Sequence, residues 1–136
     1  MTPGGRLAMA AACLVGCRFR LHGRDPETGL DCVGVVAVAL ERAGFSADLP
    51  NDYTMRSQGM GRVASVAGDW GFVSVAEKPL PGDVLLIRVG PCQSHLILCG
   101  EEGTVIHAHA GLRRVVQSPS LPEGDVIGQW RLLDPQ

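Results

Sequence analysis

The sequence predicts an α+β fold: N-terminal helices, with a central helix packed on one side of an antiparallel sheet of about five strands. Three observations predict it. The stretch from Cys32 to Leu40 is apolar nearly all round, as a helix covered on several sides must be. From Pro79 onward, β-branched apolar runs alternate with turn residues. The helical patterns precede the strand patterns, which segregates helices from sheet.

The elements follow in chain order. Residues 5–15 read as a first, alanine-rich helix stopped by Gly16. Residues 16–29 read as a loop, punctuated by Gly16, Gly23, Pro26 and Gly29. The central helix spans about 32–43, with Asp31 as N-cap and Gly44 at the left-handed position past its end. Residues 44–58 read as a loop, with a helical turn over 53–60 and a weak helix over 60–68. Residues 72–76 read as a short strand or extended link. Pro79 to Asp83 is turn chemistry, and Val84 to Val89 is a buried strand bounded by Gly90-Pro91. Further strands are expected over 94–99, 104–110, 113–117 and 126–133, with a hairpin turn at 100–103.

At 136 residues, one domain over 1–136 is expected, large enough to bury a core without staples. Hydrophobic residues at 46% and charged residues at 19% place the chain among globular proteins. A net charge of -2 argues against a nucleic-acid partner. No apolar run approaches ~18 residues, so no membrane span is expected. The five cysteines are odd in number and scattered, which is no disulfide framework. Arg6 followed by Leu7 to Cys17 has the outline of a lipoprotein signal ending at Cys17. The single arginine and short apolar stretch argue for a first helix instead.

Cys32 opens the central helix. There the helix dipole is expected to lower its pKa and favour the thiolate. A thiolate nucleophile needs a base, and the base needs an orienting group. Strand alternation puts His95, Ile97 and Cys99 on one face, and Val105, His107 and His109 on one face of the next strand. If Cys99 faces Gly103 across an odd loop, His95 faces His107 directly, with Cβ atoms ~5 Å apart. A two-residue loop would send His107 to the other face. His109 reads as a strand residue beyond the site. A metal site is not expected: Cys92, His95 and Cys99 lack the paired CxxC knuckles of structural zinc. No cofactor is expected.

These residues resemble the NlpC/P60 family of papain-like cysteine peptidases. Gly16 to Gly23 with Gly29 to Gly34 is similar to the family's Gly-x-x-Tyr-x-x-Gly-Gly loop and Asp-Cys-Ser-Gly nucleophile motif. Leu80 to Leu86 is similar to its Pro-Gly-Asp-Leu strand. Ser94 to Leu98 and Val105 to Ala108 are similar to its His-Val-Gly-Ile-Tyr and Ile-His-Ala strands. Phe19 to Pro26 looks most like the branch encoded near tail genes of prophages and gene-transfer agents.

The resemblance implies a papain-like NlpC/P60 fold, Cys32 as nucleophile, His95 as base and His107 as orienting residue. It implies cleavage of peptidoglycan stem peptides, of the D-γ-glutamyl–diamino acid type, through a thioester. With no convincing signal, delivery to the cell wall with a phage-like particle or by a lysis route is expected, and the phage-type likeness implies phage-tail or gene-transfer-agent proteins as partners. Two departures stand out. Phe19 occupies the place of the family tyrosine, whose hydroxyl serves the oxyanion, and Val33 replaces the motif serine. Phe19 and its neighbours Arg20 and His22 are the oxyanion candidates, and Arg20, Arg24, Asp31 and Arg88 are substrate candidates by position. Two other outcomes stay open: a weak or inactive binding or tail-assembly module on the same fold, and an amidase or acyltransferase on another substrate.

Overall fold

In the computed structural model, residues 1–45 and 67–133 are described. The expected helical turn over 53–60 lies outside them. So does the expected helix over 60–68, except for Ala67 and Gly68, which begin a short 3-10 turn, Ala67–Trp70.

Helix α1 spans Pro3–Ala12 rather than 5–15. Its start lies earlier because Thr2 caps it: the Thr2 hydroxyl accepts the Gly5 N–H at 2.9 Å, and Pro3 follows in the first turn. It stops earlier because the chain tightens into turns, with Leu14 N–H on Ala11 at 2.9 Å and Cys17 N–H on Leu14 at 3.0 Å. Leu7, Ala8 and Ala11, at helical spacing, face the core.

The stretch expected as a loop over 16–29 is instead tied into strand pairing. Arg24–Asp25 (β1) pairs antiparallel with Gly29–Leu30 (β2), and Phe19 bridges to Leu30. Residues 16–19 also lie along a sheet edge: Gly16 N–H reaches Val115 at 2.8 Å and Phe19 N–H reaches Arg113 at 2.9 Å. Its glycine punctuation hides this, because the pairing is dictated by an edge strand's need for partners.

Helix α2 spans Cys32–Arg42, and every residue from Cys32 to Leu40 is buried. Its end is a Schellman motif: Gly44 N–H bonds Glu41 at 3.1 Å and Phe45 N–H bonds Leu40 at 2.9 Å, with Gly44 at φ 93°.

The sheet has six strands, one more than expected: β3 (Phe72–Ser74), β4 (Val84–Gly90), β5 (Gln93–Cys99), β6 (Val105–His109), β7 (Arg114–Ser118) and β8 (Asp125–Leu132). Their spatial order is β3-β8-β4-β5-β6-β7. The meander holds for β4 to β7. The last strand returns to the other side of β4, where Val84 pairs with Trp130 and Leu85 with Gln129. One sheet face, with Val84, Leu86, Leu96, Leu98 and Ile106, packs on the helices. The other face holds Leu85, Ile87, Ile97, Cys99 and Val105. Burial on both faces explains the unbroken run Val84-Leu85-Leu86-Ile87.

Asp83 locks β4 to β8. It is fully buried, and its carboxylate accepts from Leu80 N–H, Gln129 Nε2, and Arg131 Nε and Nη2, all within 2.9–3.0 Å. Asp83→Ala would leave Leu80 N–H and the buried Gln129 amide without their acceptor, while Arg131 keeps Glu77 at 3.1 Å. The change is expected to lower stability by about 2–4 kcal/mol in urea unfolding monitored by circular dichroism.

Candidate active site

The N-terminus of α2 is fixed from both sides of Asp31. One carboxylate oxygen caps the helix, accepting Gly34 N–H at 2.8 Å, and the other accepts His22 N–H at 2.7 Å. Arg24 reaches the same carboxylate at 3.4 Å. His22 sits at φ 61°, in the left-handed region. Gly34 is needed for close approach: a Cβ there would run into the Gly23 carbonyl oxygen. The loop over 22–24 is thus clamped onto the first turn of α2, and Asp31 acts through that clamp.

Cys32, 2% exposed, projects from this turn. The expected thiolate is not its resting state. Burial pushes the thiol up to about 12 and the Asp31 charge adds to this; backbone N–H groups of Leu96, Val33 and Cys32 oppose it and lose. Position at a helix terminus is visible in sequence, whereas the burial that outweighs it comes from tertiary packing.

His95 on β5 and His107 on β6 share a face, as expected from an odd loop. They are not directly opposed. The turn takes five residues, 100–104, with Gly100 N–H on Thr104 at 2.8 Å and Thr104 N–H on Glu101 at 3.1 Å. This sets Cys99 against Val105 and Leu98 against Ile106, so the histidines meet diagonally. Glu102 at φ 57° and Gly103 at φ 77° make the longer turn. The diagonal still brings His95 Nε2 to 3.2 Å from His107 Nδ1, with the rings edge to face at 5.3 Å. The second His107 nitrogen lies 3.5 Å from Ser118 Oγ.

His109 also belongs to this cluster. Its ring stands 5.8 Å from that of His107, and its Nδ1 accepts Leu112 N–H at 3.0 Å. Burial, then the nearby His107 and His109, hold His95 down at about 4. Burial and His109 also lower His107. At neutral pH the pair is therefore uncharged imidazole beside uncharged thiol.

The depressed His95 gives a stability signature. Below pH 6.5 the unfolded chain takes up a proton at this position, and the folded chain does so only near 4. Stability falls as pH drops across that window, by about 3 kcal/mol at most. Urea unfolding at pH 7 and pH 4.5 is expected to show a smaller acid loss in His95→Gln than in wild type.

Cys32, His95, His107 and Phe19 line one pocket of about 360 Å³, with His109, Gln93 and Ser94. Arg20, His22 and Asp31 are not among its lining residues in the described part of the chain. Phe19 thus brings a phenyl ring, with no hydroxyl, to the pocket wall. Gln93 was within reach of sequence reasoning, since it alternates with His95 on β5. Ser118 was not, because its approach to His107 depends on the β6–β7 register, Val105 with Ser118.

No protein-family model matches this sequence, and no curated protein does. Solved structures match it in fold. NlpC2 from Trichomonas vaginalis aligns with a TM-score of 0.71 at 20% identity, over 96% of this chain and 48% of that one. The peptidoglycan hydrolase RipB from Mycobacterium tuberculosis aligns at 0.67 and 19% identity, over 98% and 66%. The NlpC/p60 domain of the peptidoglycan hydrolase SagA aligns at 0.60 and 22% identity, over 85% and 87%. The chain spans about half the length of the Trichomonas protein. Its structural neighbours are NlpC/P60 domain proteins, and its fold is theirs.

Proposed function

We propose that this NlpC/P60-fold chain is a cysteine peptidase that cleaves an amide bond in peptidoglycan stem peptides, of the D-γ-glutamyl–diamino acid type. One observation carries the reading: a single pocket gathers the thiol at the start of α2 with the hydrogen-bonded pair His95–His107. A buried thiol, a neutral base and a group orienting that base are the parts nucleophilic catalysis requires.

The resting charges set the order of events. Thiol and imidazole are both neutral, so His95 takes the Cys32 proton as sulfur attacks the substrate carbonyl. The Cys32 N–H, at a helix terminus, is a donor for the oxyanion that forms. His95 then gives its proton to the leaving amine, which departs and leaves a thioester on Cys32. Water, activated by His95, hydrolyses the thioester and restores both groups. His107 keeps the His95 ring oriented throughout.

Phe19 supplies no second donor to the oxyanion. A missing donor of this kind slows turnover by ~10²–10³ without abolishing it. That same feature supports a second reading, a binding or tail-assembly module on this fold. Delivery with a phage-like particle belongs to the proposal through the sequence of the Phe19 to Pro26 loop; no helix among the described residues is long and apolar enough to cross a membrane. Purified muropeptides incubated with wild type and read by mass spectrometry test the function. New dipeptide and truncated-stem products support it. Binding without any product supports the module.

A further inference from the structure

His95 and His107 share one hydrogen bond, between His95 Nε2 and His107 Nδ1 at 3.2 Å. One proton lies between them, and its owner decides what His95 can do. With the proton on His95 Nε2, His95 Nδ1 holds a lone pair and is a base. With the proton on His107 Nδ1, neutral His95 carries its own at Nδ1 and takes none from Cys32. The choice reaches the far edge of His107. In the competent arrangement His107 carries its proton at Nε2, and that N–H needs an acceptor.

The group at that edge is Ser118 Oγ, 3.5 Å away. His107 pairs with Val116 and Val105 with Ser118, so Ser118 lies diagonal to His107 on the same face. His109, the other titratable neighbour on β6, has its Nδ1 engaged by Leu112 N–H.

We infer that Ser118 is a positioning residue. It accepts the His107 Nε2–H, holds His107 in that tautomer, and thereby leaves His95 Nδ1 free for the Cys32 proton. This rests on Cys32 and His95 acting as nucleophile and base. When the proton passes from Cys32 Sγ to His95 Nδ1, the new imidazolium keeps its Nε2–H on His107 Nδ1. His107 keeps its Nε2–H on Ser118, so the donors point one way along the chain. The long resting contact fits a modest effect, since such bonds tighten when substrate fills the site.

Long-range proton–nitrogen NMR of the unliganded protein tests this without turnover. Wild type is expected to show His107 protonated at Nε2, Ser118→Ala a mixture of tautomers, and Ser118→Thr the wild-type pattern. In muropeptide cleavage, Ser118→Ala is expected to lower kcat about 3- to 10-fold with KM unchanged, and Ser118→Thr to recover it. Ser118→Asp is expected to move the acid limb of the pH profile upward, because a carboxylate behind His107 favours the imidazolium. His107 protonated at Nδ1 in wild type would overturn the inference. So would Ser118→Ala with unchanged tautomers and kcat. The expected tautomers in a wild type that cleaves no muropeptide would uphold the Ser118 assignment and overturn the peptidase reading.

Discussion

Cys32→Ala is expected to abolish muropeptide cleavage, by roughly 10⁴-fold or more, while leaving the fold intact. The loss is large because no other thiol can substitute. Cys13, Cys17, Cys92 and Cys99 do not line the pocket, and Cys99 is buried in a separate cluster with Leu85, Ile87, Ile97 and Val105. The fold survives because the change removes one sulfur and keeps the N-cap, which is built from the Asp31 side chain and the Gly34 N–H. Cys32→Ser is expected to be nearly as inactive. A hydroxyl is far less acidic than a thiol, and this site already raises the cost of forming the anion. Product formation by mass spectrometry, with circular dichroism to confirm folding, checks both variants.

His95→Gln is expected to lower kcat by about 10²–10⁴-fold, the usual contribution of a positioned base. The same change is expected to make the protein less sensitive to acid, since it removes a group whose protonation the folded state resists. The acid tolerance reports that His95 is buried uncharged, and a histidine kept only for packing would give the same sign. The loss of kcat in a folded variant is what separates the catalytic role from a structural one. In wild type the acid limb of kcat/KM is expected well below 6.5, toward the value of about 4 at which His95 takes up its proton. The resting thiol contributes no alkaline limb below pH 10 or so.

Much of this site was legible in the chain because its parts are local. The caps of α2 are written in Asp31 and Gly44, and both do what their chemistry predicts. Period-two alternation put His95 and His107 on one face, and the odd turn kept them there. What the sequence hid depends on distant contacts. The exact opposition of the histidines turned on two extra residues in the turn, and both registers share the same face parity. The pairing of β8 with β4, fastened by the Asp83–Arg131 contact, joins residues 48 apart in the chain. The charge state of Cys32 follows from burial that no window around it reveals. Asp31 carries acidic character in sequence, yet its oxygens hold the 22–24 loop to the helix rather than line the pocket.

The central claim is that Cys32 carries the substrate's acyl group as a thioester. Rapid acid quenching of wild type with a stem tetrapeptide, followed by proteolysis and mass spectrometry, tests it most directly. A hydroxylamine-labile acyl adduct is expected on the peptide containing Cys32, absent in Cys32→Ala. Cleavage that proceeds in Cys32→Ala, or an adduct found on another residue, would contradict it.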